Sequence, residues 1–478
     1  MEMQVRYSLY CLLCGYESEL FYDELYCPRC RVPLVVRYSM SREEYLNVLS
    51  LAKTRRELGV WSFYPLLPTS KAGITLGEGW TPQLVFERLA RVLGLRSLIV
   101  KNESTNPTGT FVDRGAAVDV WHAYLKGFKR IAVAALGDFA VSISSYGARL
   151  GMEVLALVPR DVTRGTLYKM LLSGARVDIV DDYGKALDRA RKIATMHNFY
   201  FSHTSSTMVI EGYRTIVFEM LTKLINGIDY IVLPIGEGVL ATAIYKGIQE
   251  LSEKMTFDIP KLVLVRLSTS GLGRPKEWSE LGDVELFRDV VVEVPTALSM
   301  AMQAVERGHG MLTTVDERTV LRVAHTVARN EGLVLDPIGV VSLAGLEKLI
   351  DEGVIDRGSR VLAIVSGSPS KDPFTLYRVM ECDSEILKKL RKIEEEQPRL
   401  SAIDVEILRI VAEERTIHSY AIWKKLNDRG YSLALSTVIY HIKKLEEKGL
   451  IRIVGRHDRR IIYALTEEGM SILKKFSE

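Results

Sequence analysis

Short β-branched runs alternate with helical periods along the middle of the chain. Between Leu76 and Pro373, runs such as LIVKNE, RIAVAAL, EVLALVP, YIVLPIG, LVLVRL and VLAIVSG are separated by segments with the 3.6-residue period of helices. Strands that alternate with helices predict parallel sheets covered by helices. The pattern therefore predicts an α/β domain over most of the chain.

A charged segment follows this domain. Residues 383–397, DSEILKKLRKIEEEQ, place their apolar positions on one side of a helix, and Pro398 ends the pattern. We expect a linker helix that could pair with its mate in a homodimer.

Three helical patterns and a hairpin complete the chain, in the order of a winged helix-turn-helix. The first two helices are predicted at 403–413 and 420–429, and the third lies in ALSTVIYHIKKLEEKGL. On the third helix the predicted core stripe consists of Leu435, Val438, Ile439, Ile442 and Leu445. The predicted outward-facing residues, which combine base-edge readers with phosphate-binding cations, are Ser436, Thr437, Tyr440, His441, Lys443 and Lys444.

The predicted hairpin carries a basic tip. The alternating runs IRIV and IIYAL flank GRHDRR, which places Arg456, Arg459 and Arg460 where they could contact phosphate or the minor groove. Residues 398–478 resemble winged-helix transcription regulators, which implies binding to double-stranded DNA. Winged helices also serve in protein–protein contacts, so an interaction module is the alternative.

The distribution of charge supports the same interpretation. The whole chain of 478 residues has a formal net charge of only +3, but from Pro398 onward 15 Lys and Arg stand against 11 Asp and Glu. Positive charge is thus concentrated where a polyanion could bind it.

The opening segment does not resemble a secretory signal, and the chain shows no pattern of a membrane-spanning helix. The opening MEMQVRYSLYCLLCGYESEL lacks the apolar core of a secretory signal, and no run of eighteen apolar residues occurs. We expect a cytoplasmic protein.

Four of the five cysteines fall in the first thirty residues. Cys11, Cys14, Cys27 and Cys30 form the pattern C-x2-C-x12-C-x2-C, in which four thiolates can close a tetrahedral zinc site. A redox dithiol, the alternative, would need only one pair and a helix N-terminus behind it. We therefore predict a zinc ribbon over residues 1–40.

Several ordered motifs follow the cysteines. The motifs are LGEGWTP at 76–82, VKNESTNPTGTFVDRG at 100–115, EGYRT at 211–215, PIGEGVLATAIYKG at 234–247, EGLVLDPIGVVSLAGL at 331–346 and VSGSPSKDP at 365–373. Together with the cysteines they resemble those of threonine synthase, a pyridoxal-phosphate enzyme of fold type II. The resemblance implies a two-lobed α/β domain over residues 41–382.

The resemblance also implies a lysine that this chain lacks. In the family, a lysine after NPTG-Ser/Thr-Phe forms the Schiff base with the cofactor, and here that position holds Val112. Valine offers neither the amine for a Schiff base nor a proton carrier. Lys101 or Lys371 could replace it, but both match family lysines with structural roles.

Two further stretches depart from the family's cofactor contacts. The resemblance implies an Asn at the cofactor ring oxygen, where Asp138 stands, and a Gly-Asn-Gly-Gly phosphate loop, which reads Gly236, Glu237, Gly238 and Val239. A Glu side chain would repel phosphate at such a loop. Ser366, at the position that contacts the pyridine nitrogen, is preserved in kind. We therefore expect pyridoxal phosphate to bind at most noncovalently.

These interpretations combine into a function. We predict a DNA-binding transcription regulator, not an enzyme, whose threonine-synthase-like domain senses an amino acid or a phosphorylated amino acid through Thr110, Arg114 and Arg214. The alternative is a pyridoxal-phosphate-dependent threonine synthase or related lyase with a regulatory C-terminal domain.

Overall fold

The computed structural model describes residues 6–18, 26–160, 162–268, 297–369, 376, 379–389, 400–431, 433–457 and 460–475. The chain divides into two compact units, Met1–Cys382 and Asp383–Glu478. Among the described residues, no helix combines the length and the apolar character that crossing a bilayer requires.

The first unit begins with a small antiparallel ribbon. Its central strand β1 (Arg6–Tyr10) pairs with β2 (Glu17–Ser18) on one side and with β3 (Val35–Ser39) on the other. A helix, α1 (Arg42–Ala52), follows, and Ser41 caps it in a reciprocal box with Glu44.

The larger of two main sheets has six strands in the order β12-β11-β10-β13-β5-β4. All neighbours are parallel except β4, which runs antiparallel to β5 at the edge. The strands are β4 (Gln83–Val85), β5 (Ser97–Asn102), β10 (Tyr230–Pro234), β11 (Lys261–Leu267), β12 (Met311–Val315) and β13 (Arg360–Val365).

The second main sheet has four parallel strands in the order β8-β7-β6-β9. They are β6 (Arg130–Ala134), β7 (Glu153–Pro159), β8 (Arg176–Val180) and β9 (Tyr200–His203). Central strands such as β6 are almost entirely apolar because helices cover both faces of a parallel sheet. The predicted parallel sheets are confirmed.

Ten helices of the first unit cover these sheets, within the part of the chain that the structure describes. They are α2 (Glu87–Leu93), α3 (Val112–Leu125), α4 (Asp138–Arg149), α5 (Arg164–Leu172), α6 (Tyr183–His197), α7 (Thr207–Ile225), α8 (Val239–Lys254), α9 (Leu298–Arg307), α10 (Glu317–Glu331) and α11 (Val341–Asp351). Helices α3, α7 and α8 pack side by side in the largest core of buried apolar residues.

The second unit has the winged-helix arrangement. Its helices are α12 (Ala402–Glu414), α13 (Ser419–Asp428), α14 (Leu435–Glu447) and α15 (Glu467–Lys475), and its strands are β14 (Ile417–His418), β15 (Ile451–His457) and β16 (Arg460–Leu465). The sheet order is β14-β16-β15, with antiparallel pairing throughout. The predicted helices and hairpin are confirmed, to within two residues at the bounds compared for the first two helices. Of the predicted linker helix, residues 384–389 are helical, and the remainder lies outside the described residues.

Candidate functional site

The four cysteines of the ribbon lie together. Their Sγ atoms are all within 4.8 Å of one another. Each pair sits on a tight turn that ends in a left-handed residue: Gly15 N donates to the carbonyl of Cys11 at 3.0 Å, and Arg31 N donates to that of Cys27 at 2.8 Å. Four thiols brought to one point are the donor set that zinc prefers, so the cluster could hold a zinc ion. A redox dithiol would not need the second pair.

A cavity of about 140 Å³ lies in the first unit, where the carboxyl ends of β6, β10 and β13 meet the loop before α3. Ligands bind at such strand ends in open α/β sheets. All the residues of the predicted cofactor pocket line it, together with one of the three predicted ligand contacts. They are Val112, Asp138, Gly236, Glu237, Gly238 and Ser366, with Thr110.

Hydrogen bonds hold the loop before α3 against the end of β13. Phe111 N donates to Ser366 Oγ at 3.1 Å, and Val112 N donates to Thr110 Oγ1 at 3.3 Å. Val112 is the first residue of α3 and is 9% exposed. The side chain at the predicted lysine position is therefore an apolar part of the cavity wall.

Gly238 closes the loop between β10 and α8. Its φ is +88°, which favours glycine, and a Cβ at this position would lie 2.7 Å from the carbonyl oxygen of Ala297. The glycine therefore lets the backbone turn into α8 in a crowded place, and this turn holds Glu237 beside the cavity.

The carboxylate of Glu237 is the most unusual group in the cavity. Its Oε2 accepts a hydrogen bond from Thr204, whose hydroxyl lies 3.0 Å from that of Tyr183. Its Oε1 is buried and has no hydrogen-bond partner among the described residues. Burial raises the pKa of Glu237, against the lowering effect of the hydrogen bonds from Thr204 and Tyr183.

Sequence reasoning missed several wall residues. Phe111, Phe139, Thr204 and Tyr213 also line the cavity. Thr204 directly follows β9, so the carboxyl end of a predicted parallel strand was the available signal. The three aromatic side chains carry no such signal, because an aromatic residue beside a helix usually belongs to the core.

Arg114 does not line the cavity, which corrects its predicted ligand-binding role. Its side chain is completely buried between two acids: Nε lies 2.7 Å from Glu103 Oε2, and Nη1 lies 2.6 Å from Glu219 Oε1. Lys101 Nζ joins the same cluster at 2.6 Å from Glu219. The guanidinium therefore neutralises buried carboxylates instead of facing a ligand.

Arg214 is likewise outside the cavity. It is completely buried, pairs with Glu211 at 2.9 Å and with Glu250, and stacks on the ring of Tyr38 at 4.8 Å. Its predicted ligand-binding role is wrong for the same reason as that of Arg114.

Of the two lysines considered as substitutes for Val112, the structure describes only Lys101. Lys101 Nζ also donates to the carbonyl of Thr81 at 2.7 Å, and it does not line the cavity. Burial, which outweighs the neighbouring acids, lowers the pKa of Lys101. Lys371 lies outside the described residues.

Helix α14 presents part of the predicted nucleic-acid interface. Tyr440 is 65% exposed, Ser436 and Lys443 are also exposed, and Thr437 is half-buried. Ile439, predicted for the core stripe, is 36% exposed, whereas Val438, Ile442 and Leu445 are buried as expected.

His441 and Lys444 turn toward α12, which corrects their predicted outward direction. His441 Nδ1 lies 2.7 Å from Asp404 Oδ1, and Lys444 Nζ lies 3.4 Å from Asp404 Oδ2. The exposed fractions of the two side chains are 13% and 34%. In the predicted wing, Arg459 lies outside the described residues, as do the side chains of Arg456 and Arg460.

Known proteins place the first unit in a family. Residues 74–367 match the family described as pyridoxal-phosphate dependent enzyme. Threonine synthase from Methanosarcina acetivorans is 32% identical over 390 residues, which are 78% of this chain and 95% of that protein. Threonine synthase from Methanocaldococcus jannaschii is 30% identical over 80% of this chain and 98% of its own length.

The chain belongs to the threonine synthase family of pyridoxal-phosphate-dependent enzymes. Solved structures agree on the fold. Diaminopropionate ammonia lyase from Escherichia coli aligns with a TM-score of 0.56 at 15% identity, covering 70% of this chain and 93% of that one. O-ureido-L-serine synthase aligns with a TM-score of 0.53 at 16% identity, covering 64% and 93%. The fold type II α/β domain is therefore confirmed.

The second unit has its own match. Residues 405–473 match the ribonuclease R winged-helix domain. The predicted winged-helix domain is confirmed by this match and by the arrangement of α12 to α15.

Membership in this family corrects one prediction from the sequence. The expectation that the chain is not an enzyme is wrong: relatives that are 28–32% identical over most of the chain are named threonine synthase, an enzyme family. A valine at one position was too narrow a basis for a conclusion about the whole domain.

Family membership also implies a site for pyridoxal phosphate. A Schiff base needs an amine, and no lysine lines the cavity among the described residues. The loop that would hold the phosphate carries the Glu237 carboxylate. The described lining residues therefore do not fit a covalently held pyridoxal phosphate.

Proposed function

We propose that this chain is a DNA-binding transcription regulator in which the threonine-synthase-family domain binds a small-molecule effector. The observation that carries the proposal is the exposed polar face of α14, with Ser436, Tyr440 and Lys443, on a winged helix attached to a complete family domain. In helix-turn-helix proteins the corresponding helix enters the major groove.

The side chains on this face suit DNA. Tyr440 and Ser436 can donate or accept hydrogen bonds at base edges, and Lys443 can bind phosphate. An exposed aromatic side chain such as Tyr440 does not stabilise the unit by burial, but its ring and hydroxyl can contact a partner at an interface. The arginines of GRHDRR, which runs from the end of β15 to the start of β16, would add contacts to phosphate.

Effector binding can change DNA binding only if the two events are coupled, and we propose that a homodimer provides this coupling. Closure of a cleft in an α/β domain on a ligand can change the distance between two DNA-binding domains of a dimer. A symmetric dimer would recognise an inverted repeat with half-sites separated by about 34 Å. The effector is an amino acid or a phosphorylated amino acid, a choice supported by relatives that are named threonine synthase.

We also propose that the four-cysteine cluster binds a structural zinc ion. Cys11 and Cys27 are each 1% exposed, so a bound ion would be shielded and would join the two turns of the ribbon. Zinc held in this way stabilises the ribbon that packs in the main core.

The DNA proposal is tested with the full chain. Fragments recovered by chromatin pull-down from its own cell, with and without added threonine-pathway metabolites, supply the DNA for fluorescence anisotropy. We expect binding that weakens steeply as salt rises, and weaker binding by Lys443→Ala. Arg91→Ala, which removes an exposed positive charge from the first unit, is the matched control and should bind like the native chain. Absence of any salt-dependent binding would instead favour a protein-binding winged helix.

A second function is supported by the relatives. This chain covers 95% and 98% of two threonine synthases, so it could be a pyridoxal-phosphate-dependent threonine synthase, or a related lyase, with a regulatory C-terminal domain. The purified protein with added pyridoxal phosphate should then be yellow, and borohydride should fix the cofactor to a lysine that mass spectrometry can identify.

A further inference from the structure

The cavity wall is acidic. Among the lining residues that the structure describes, Asp138 and Glu237 are acids, and none is Lys, Arg or His. The ring of Phe111 packs against that of Tyr213 with centroids 4.9 Å apart, and both rings belong to the wall. An anionic ligand would thus meet two carboxyl groups and no basic side chain, whereas a cation would meet complementary charge and aromatic rings.

Both acids stand at the beginning of a helix. Asp138 is the first residue of α4, and Glu237 directly precedes Gly238, the N-cap of α8. The N-terminus of a helix attracts negative charge and is where α/β proteins commonly bind phosphate. Here the protein's own acidic residues stand at these two positions, and their negative charge would disfavour a ligand phosphate.

The two oxygens of Glu237 differ in their partners. Oε2 accepts from Thr204, but Oε1 is buried and has no hydrogen-bond partner among the described residues. Leaving a buried acceptor without a donor is costly, and a ligand donor would remove that cost. Burial raises the pKa of this carboxyl group, and a cation beside it would favour the charged form.

We infer that the cavity binds an organic ammonium compound with a small apolar body, and that Glu237 Oε1 accepts a hydrogen bond from its ammonium group. The inference rests on the proposed function only in that this compound would be the effector. Thr204, whose hydroxyl lies 3.0 Å from that of Tyr183, donates to Oε2, which leaves Oε1 for the ligand. The aromatic walls receive the apolar body.

Isothermal titration calorimetry of the full chain without DNA tests the inference. The probes are butylammonium, its neutral analogue 1-butanol, and inorganic phosphate. We expect butylammonium to bind at least ten times more tightly than 1-butanol, and Glu237→Gln to weaken it at least tenfold. Glu253→Gln, which removes the same charge from an exposed position on α8, should leave binding unchanged. Glu237→Asp, which keeps the charge, should bind better than Glu237→Gln, and thermal melting checks that each variant folds.

Two results would overturn the inference. Equal binding of butylammonium to the native chain and to Glu237→Gln would remove Glu237 from the site. Binding of phosphate, or binding of 1-butanol as tight as that of butylammonium, would show that the cavity does not select a cation. Failure here is separate from failure of the proposed function, because DNA binding is measured without ligand and butylammonium binding without DNA.

Discussion

His441 Nδ1 lies 2.7 Å from Asp404 Oδ1, which joins helix α14 to the first turn of α12. Asp404 is completely buried and is also the N3 residue of a capping box with Ser401. One carboxylate therefore fixes the start of α12 and the orientation of α14. Because His441 is held in this way, the direction of the adjacent exposed Tyr440 is restrained as well, as the proposed contact with DNA would require.

Replacing Asp404 by Asn should loosen α12 and α14 together. The amide keeps a hydrogen-bond acceptor but loses the charge, so we expect a cost of about 1–3 kcal/mol in local stability. Hydrogen-exchange mass spectrometry of the full chain would report this as faster exchange in peptides from both helices. Asp428→Asn, at an exposed position on α13, is the control and should leave exchange unchanged. Faster exchange in α12 alone would mean that the contact with His441 contributes nothing.

The contribution of Asp404 to the stability of the second unit should also depend on pH. Burial by itself would raise the pKa of Asp404, but hydrogen bonds from Ser401 and His441 outweigh burial, and the pKa is lowered. Its stabilising effect is therefore fully present above the unfolded pKa of about 3.9 and is lost as the pH falls through the lower folded pKa. In urea titrations, the difference in the free energy of unfolding between the native chain and Asp404→Asn should shrink as the pH falls below about 4. A difference that grew as the pH fell from about 4 to about 2 would contradict this assignment.

Arg114 should matter for folding. Arg114→Met would leave Glu103 and Glu219 buried without their main partner, and we expect a loss of about 3–5 kcal/mol in the free energy of unfolding. Arg322→Met is the control, because Arg322 pairs with Glu347 in a pair whose arginine is 51% exposed, and it should cost less than about 1 kcal/mol. Urea denaturation measures both. Equal costs in the two variants would contradict a buried structural role for Arg114.

The cysteine cluster should hold one zinc ion per chain. Cys27→Ser removes one of four ligands, so we expect loss of the metal, measured by mass spectrometry of metals in purified protein, and a lower melting temperature. Cys382→Ser, outside the ribbon, should keep the full metal content. Equal zinc in both variants would show that the metal binds elsewhere.

Local periodicity predicted which segments form helices and strands better than it predicted which side chains are buried. Strands such as β6, after its first residue Arg130, and β10 are apolar, and that pattern is enough to predict a buried parallel strand. On α14 the same reasoning succeeded for Val438 and failed for Ile439, which lies at the margin of the apolar stripe. A residue at such a margin faces the core or the solvent according to where neighbouring helices pack, which the helical period does not contain.

The roles of charged residues depended on distant partners. Arg114 was expected to meet a ligand because it belongs to a family motif, but Glu219, one of its two partners, lies 105 residues away in the chain. The predicted pocket residues, by contrast, were found through the ordered motifs that resemble those of threonine synthase, and all of them line the cavity. Position in a motif thus indicated the cavity for these residues, but it did not reveal that Arg114 pairs with buried acids.

Tyr440 should determine which DNA is bound, and Lys443 how tightly any DNA is bound. The hydroxyl of Tyr440, which is 65% exposed on α14, can distinguish base edges, whereas the charge of Lys443 acts on phosphate in every sequence. Tyr440→Phe should therefore reduce the ratio of specific to nonspecific affinity by up to about tenfold, the lower part of the range for one base contact. Lys443→Ala should weaken both affinities alike and lower the slope of log affinity against log salt by about 1. Selection from a random DNA library, followed by anisotropy titrations at several salt concentrations, measures both effects. Because the phenylalanine variant keeps the ring and loses only the hydroxyl, an unchanged ratio would mean that the exposed face of α14 does not select bases through Tyr440.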